Sequence, residues 1–147
     1  ALTSAQARDY HRRLLAEVVR MLCVGLIHGD LSEFNILVDA QGPVIIDLPQ
    51  AVNAAANNSA RAMLERDVAN ITAYFGRFAP ELLRTDYGQE IWTLYRHGNL
   101  SPDIELTGHV ERSAIAADIE EVMRVIEDAR EEAIARHAEA SNILVVV

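Results

Sequence analysis

The sequence predicts a mainly α-helical fold carrying one small β-hairpin, an α+β arrangement, and three observations predict it. Apolar residues recur at helical spacing in three separate stretches. Two short β-prone runs, Asn35-Ile36-Leu37-Val38 and Pro43-Val44-Ile45-Ile46, flank Asp39-Ala40-Gln41-Gly42, which has the composition of a hairpin turn. A two-stranded hairpin is not stable alone in water, so it must rest on the helical body.

From Ser4 to about Leu22, Tyr10, Leu14, Leu15, Val18, Val19 and Leu22 fall on one face, while Arg12, Arg13, Glu17 and Arg20 fall on the other. This is an amphipathic helix with Thr3 or Ser4 as N-cap. In Gly25-Leu26-Ile27-His28-Gly29-Asp30 two glycines flank a short apolar piece, which reads as the approach into a functional loop. The hairpin follows, with Asp47 at its exit. The Asn- and Ala-rich segment 51–59 has no period and reads as a loop. Leu64, Val68, Ile71 and Phe75 then make a helical stripe that Arg77-Phe78-Ala79-Pro80 ends. A further helix is expected over Pro80 to Arg96, with Gly88 as an interruption and His97-Gly98-Asn99 as its stop. The last runs from about Ser113 to Ala138, with Ile115, Ile119, Val122, Met123 and Ile126 on one face. The terminal run Ile143 to Val147 is β-prone, and a strand is one reading of it.

At 147 residues and 50% apolar content the chain has the size of one compact domain, 1–147. Thirteen Arg against 22 Asp and Glu leave a net charge of −9, which repels phosphate backbones and anionic membranes, so no direct nucleic-acid or membrane binding is expected. No stretch has the length of a membrane span and the start lacks the layout of a secretory signal, so the expected location is cytoplasmic. The single cysteine, Cys23, lies in an apolar run and reads as a core residue. The chain has no lysine at all, which excludes any mechanism needing one from it.

The run His28-Gly29-Asp30-Leu31-Ser32-Glu33-Phe34-Asn35, with Asp47 beyond the hairpin, has the order and spacing that phosphoryl transfer from a nucleotide needs. Asp30 can accept or orient the proton of an attacking hydroxyl. Asn35 offers an amide oxygen to a divalent ion, and Asp47 a carboxylate that the hairpin folds back toward it. Magnesium takes oxygen ligands and keeps some waters, so one amide, one carboxylate and the phosphates of ATP make a sufficient site; manganese would suit it equally. The pattern matches the general kinase order of a catalytic-loop Asp, an Asn at the fifth place and a metal-binding Asp beyond a hairpin. For His28 the expectation is a buried structural role, bonded to loop backbone. Ser32 could bond a phosphate or make a local cap, and Glu33 receives no catalytic step.

Leu26 to Val38 and Pro43 to Val52, two blocks in register, resemble the catalytic and metal-binding loops of the RIO family of atypical serine/threonine protein kinases, nearest to its Rio-one branch. The similarity continues into Leu64-Glu65-Arg66-Asp67-Val68-Ala69-Asn70-Ile71. The resemblance implies a protein-kinase-like C-terminal lobe, with a catalytic loop at 28–35, a metal loop at 46–50 and a helical remainder at 60–140. It makes Asp30 the catalytic aspartate and has Asn35 and Asp47 hold magnesium. Asp47 is also implied as the acceptor of a transient phosphoryl group, which would make the chemistry ATPase-like. Asp67 resembles the residue that bonds the catalytic-loop backbone; an exposed first-turn carboxylate is the other reading of it. The partners implied are ATP, a protein substrate and, through the family's role in small-subunit maturation, a ribosomal-subunit precursor.

Two departures qualify the likeness. The path from Asp47 to the Leu64 helix is too short for the usual activation segment and has no Ala-Pro-Glu motif. The glycine-rich strand-turn-strand and phosphate-pairing lysine of a kinase are also absent, so the chain is expected to be a lobe that works with an N-terminal lobe and turns over little alone. Two further readings are a small-molecule phosphotransferase of the aminoglycoside or choline kinase type, and a non-catalytic lobe that binds a partner.

Overall fold

The computed structural model describes residues 1–47, 51–110 and 112–146, and side chains throughout except 112–118 and 140–146. Leu48, Pro49 and Gln50 of the expected metal loop, and the Ile115 side chain of the last helix, lie outside the described residues. The chain falls into two compact units, Ala1–Val110 and Glu111–Val147.

Helix α1 (Ser4–Cys23) starts at a capping box: the Thr3 hydroxyl accepts the Gln6 N–H at 3.1 Å, and the Gln6 side chain accepts the Thr3 N–H at 3.0 Å. This settles the cap on Thr3, and Ser4 instead bonds the Phe78 carbonyl at 2.7 Å. The face read from the sequence is the buried one: Leu14, Leu15, Val18, Val19 and Leu22 enter the core, with Tyr10 half-buried beside them. Cys23 is partly buried against the same core.

Strand β1 (Leu26–Ile27) pairs antiparallel with β4 (Val52–Asn53), extended by the Ala54 N–H to the Gly25 carbonyl at 2.8 Å. The sequence reading had both segments as irregular. A two-residue pair has no period to read, and only the fold brings its strands together. The hairpin is β2 (Ile36–Asp39) and β3 (Gly42–Ile45), one residue displaced on each side from the expected runs, with Ala40-Gln41 as its turn. Its register sets Ile36 against Ile45 and Leu37 against Val44. The first pair packs on the core and the second faces outward, as the alternation of side chains along a strand requires. The body that holds the hairpin is α1, whose Arg13 guanidinium donates to the Gln41 carbonyl at the turn.

Helix α2 (Ala60–Gly76) buries Leu64, Val68, Ile71 and Phe75, as their spacing predicts. The single helix expected over Pro80 to Arg96 is two elements, a 3-10 turn (Pro80–Arg84) and α3 (Tyr87–Arg96). The break falls at Thr85-Asp86, where Thr85 turns its hydroxyl onto the Leu82 carbonyl at 2.6 Å and its own N–H bonds the same carbonyl. Gly88 does not interrupt α3. It lies within the helix, where a Cβ would come 3.2 Å from the Glu65 Cα, so it permits close packing on α2.

The loop after α3 is held by Glu90, whose buried carboxylate accepts from the Thr107 N–H, the Thr107 hydroxyl and the Gly108 N–H at 2.8 to 2.9 Å. In the second unit α4 (Arg112–Val146) is longer than the periodicity indicated and continues through the β-prone residues 143–146. Its Ile119, Val122, Met123 and Ile126 are exposed. Among the described residues no helix is long and apolar enough to cross a membrane.

Candidate active site

The loop between β1 and β2 is short and sharply turned. Gly29 sits at φ +89, a backbone conformation that calls for glycine, and a Cβ there would lie 2.6 Å from Cε of Met63, the end of a flexible side chain that would have to shift. The flanking residues are fixed from α2. Asp67, only 1% exposed, accepts the Gly29 N–H on one carboxylate oxygen at 2.8 Å and the Leu31 N–H on the other at 2.9 Å. The exposed-carboxylate reading of Asp67 is thereby overturned, and the loop-bonding role stands. Burial pushes its pKa up, opposed by the two N–H bonds and by the nearby His28 and Arg66.

Two neighbours on α2 complete this clamp, and both were missed from sequence. Arg66 donates to the Gly29 carbonyl, and the Asn70 amide donates to the Leu31 carbonyl at 3.1 Å. The legible signal was spacing, since Asp67 and Asn70 stand three apart and share a helix face. N–H and C=O groups of the loop backbone around Asp30 are thus paired, while the Asp30 side chain is exposed.

His28 is 2% exposed and ties this loop to the exit of the hairpin. Its Nδ1 accepts the Asp30 N–H at 3.2 Å, so its Nε2 carries the proton and donates to the Ile46 carbonyl at 3.0 Å. The structural role expected for it is the observed one. Asn35 ends a 3-10 turn (Glu33–Asn35) and is buried, whereas Asp47, twelve residues later, is exposed. The hairpin brings the two together: the Asn35 amide donates to the Asp47 carboxylate at 3.0 Å. The Ile46 N–H bonds the Asn35 carbonyl at 2.7 Å and fixes the same approach through the backbone. Asp47 sits at φ +62, a left-handed conformation that aspartate tolerates better than most residues.

Ser32 is a local cap: its hydroxyl accepts the Phe34 N–H at 3.3 Å and also bonds the Asn35 amide oxygen at 3.2 Å. Glu33 is exposed. Among the described residues no group of three His, Cys, Asp or Glu gathers to hold a metal. What the loop and hairpin offer is one amide and one carboxylate, both oxygen-bearing and adjacent. That donor set fits a magnesium ion completed by phosphates and water, and does not fit a zinc cage. Two cavities of about 570 and 660 Å³ lie elsewhere, one against α2 and α3 and the other against α1; neither is lined by Asp30, Asn35 or Asp47.

An exposed aspartate on a loop whose backbone is clamped from a helix, with an asparagine and a second aspartate joined across a hairpin, has the order of the kinase-type pattern. A RIO domain model matches residues 1–88, and the chain belongs to the RIO family. It is 41% identical over 78 residues to the RIO-type serine/threonine-protein kinase Rio2 of Methanocaldococcus jannaschii, a match covering 52% of this chain and 28% of that protein. Serine/threonine-protein kinase RIO2 of Caenorhabditis elegans is 34% identical over 108 residues, 70% of this chain and 19% of its own length. The RIO-type serine/threonine-protein kinase Rio1 of Haloferax volcanii is 41% identical over 70 residues, 48% of this chain and 21% of its own. Relatives of both names match, so membership stands at the level of the family. The matches span under a third of the length of each of these relatives.

Proposed function

We infer that the chain is the C-terminal, catalytic lobe of an ATP- and magnesium-dependent RIO-type serine/threonine kinase or ATPase. The observation that carries this reading is the Asn35 to Asp47 contact at 3.0 Å beside a loop whose backbone is clamped by Asp67. In it Asp30 orients the hydroxyl or water that attacks the γ-phosphate, and a rigid loop backbone keeps that carboxylate in place. Asn35 and Asp47 would hold the metal, which supplies neutralisation of the phosphate charge when bound. Asp47 is also the group within the site that could take a phosphoryl group transiently, the property that separates an ATPase cycle from direct transfer.

The hairpin surface supports a lobe that works with another. Phe34, Leu37, Val38 and Val44 are all exposed, at 82, 59, 59 and 44%, on the turn and strands that carry Asn35. Leu37 and Val44, opposite each other in the register, make an exposed apolar pair of the kind that can serve as a binding surface. In this reading the nucleotide and an N-terminal lobe, which would also bring the lysine the chain lacks, cover it. Protein substrate and any role on a ribosomal-subunit precursor follow from the family alone.

The test is phosphate transfer by the full-length gene product with labelled ATP and magnesium. Asp30→Ala and Asp47→Asn are each expected to lower transfer and hydrolysis at least ~100-fold, the scale on which a positioned acid–base group acts. A label that survives acid indicates transfer to a hydroxyl, and one lost to hydroxylamine indicates a phosphoaspartate. Wild-type activity in both variants would sink the assignment, and no activity in wild type would favour a partner-binding lobe.

A further inference from the structure

The hydrogen bonds around Asn35 fix which way its amide faces. An ionised Asp47 carboxylate can only accept, so the atom 3.0 Å from it is the Asn35 amide nitrogen. The amide oxygen therefore points the other way, to the Ser32 hydroxyl at 3.2 Å, which donates to it. For Asn35 and Asp47 to share one cation the amide must turn over, because the cation needs the oxygen and repels the NH2 group. That reversal would strand the amide nitrogen of a buried side chain unless the group on its other side can accept as well as donate.

We propose that Ser32 is a positioning residue for the metal amide: its hydroxyl bonds Asn35 in both orientations, as donor to the oxygen before a cation binds and as acceptor from the nitrogen afterwards. A hydroxyl is suited to this because it carries one rotatable donor and two acceptor lone pairs, whereas carboxylate and ammonium groups serve one orientation only. The hydroxyl does not wander, being held by the Phe34 N–H at 3.3 Å while the Ser32 carbonyl accepts the Asn35 N–H at 3.0 Å. A bound cation polarises the amide and strengthens its N–H as a donor, so the bond to Ser32 counts for more in the loaded state than in the empty one. Removing the hydroxyl thus weakens metal binding, and does so through Asn35.

The proposal rests on the magnesium reading of Asn35 and Asp47, and one experiment separates the two. With the full-length protein saturated by a non-hydrolysable ATP analogue, whose phosphates complete the site, Mn2+ binding is followed by the loss of the free-ion paramagnetic resonance signal for wild type, Ser32→Ala, Ser32→Thr, Asp47→Asn, Asn35→Asp and Asn35→Asp/Ser32→Ala. All are first checked for a wild-type backbone amide spectrum, because Ser32 also caps a turn. Ser32→Ala is expected to raise the Mn2+ dissociation constant about fivefold, the scale of the difference between a charge-strengthened and a neutral hydrogen bond, and Ser32→Thr to restore it. With Asn35→Asp both atoms facing the site are oxygens and no orientation needs choosing, so adding Ser32→Ala should then change the constant less than about twofold. Equal binding by wild type and Ser32→Ala overturns the proposal and leaves the metal reading standing. Equal losses in both backgrounds also overturn it, since the hydroxyl would then act on the cation or the fold rather than on the amide. Mn2+ binding that Asp47→Asn does not weaken, or none in wild type, overturns the metal reading and the proposal together.

Discussion

Replacing Asp67 by Asn tests whether the loop at Gly29 to Leu31 is held from α2. The two carboxylate oxygens accept the Gly29 and Leu31 N–H groups at 2.8 and 2.9 Å in a site only 1% exposed. An amide is nearly the same size but has one acceptor, so one N–H keeps a partner and the other meets an NH2 group. The lost charge-assisted bond costs ~1.5–3 kcal/mol and the stranded N–H another ~1–3 kcal/mol. Against this, the neutral amide escapes the burial penalty that raises the Asp67 pKa, so the net loss should be about 2 to 4 kcal/mol. Urea unfolding at pH 7, followed by circular dichroism, reads this directly. With an m value of ~1–1.5 kcal/mol/M for a unit of this size, the midpoint should fall by about 2 M. In the full-length protein the same variant should lower kcat more than it raises KM for ATP, because it loosens the loop that carries Asp30. A stability change below ~0.5 kcal/mol, within the range of ordinary surface substitutions, would refute the clamp.

Two further predictions concern the same body. His11 is 2% exposed among Phe75 and Tyr87, with its Nε2 2.8 Å from the Thr72 hydroxyl, and burial lowers its pKa from 6.5 to about 4. The unfolded chain takes up that proton first, so the contribution is present above pH 6.5 and is lost as pH falls toward 4. About 2 kcal/mol should disappear between pH 7 and pH 5. Urea titrations at the two pH values should show a smaller difference by that amount in His11→Gln, and an equal loss of stability from pH 7 to pH 5 in wild type and His11→Gln would refute it. Gly29→Ala combines a positive φ with a Cβ placed 2.6 Å from Cε of Met63. Its backbone part should cost ~1–2 kcal/mol and persist when Met63→Ala makes room, so a double variant as stable as Met63→Ala alone would remove the conformational argument.

The sequence by itself determined what local periodicity and chemistry can specify. The α1 and α2 faces follow from apolar spacing, because a helix converts spacing into a face without help from the rest of the chain. The hairpin follows from two β-prone runs about a short turn, and the order of residues around it is what singles out Asp30, Asn35 and Asp47 as candidates. Tertiary structure decided what depends on distant partners. Leu26-Ile27 and Val52-Asn53 are strands only because each has the other, and the break at Thr85-Asp86 comes from hydroxyl and backbone bonds that no period records. Glu90 is buried, against the habit of its residue type, since three donors from residues 107–108 meet it. The same holds at the site. Sequence order put an asparagine and an aspartate twelve residues apart, but the facing of the Asn35 amide, toward Asp47 on one side and Ser32 on the other, is set by hydrogen-bond donors and acceptors that meet only once the hairpin has closed.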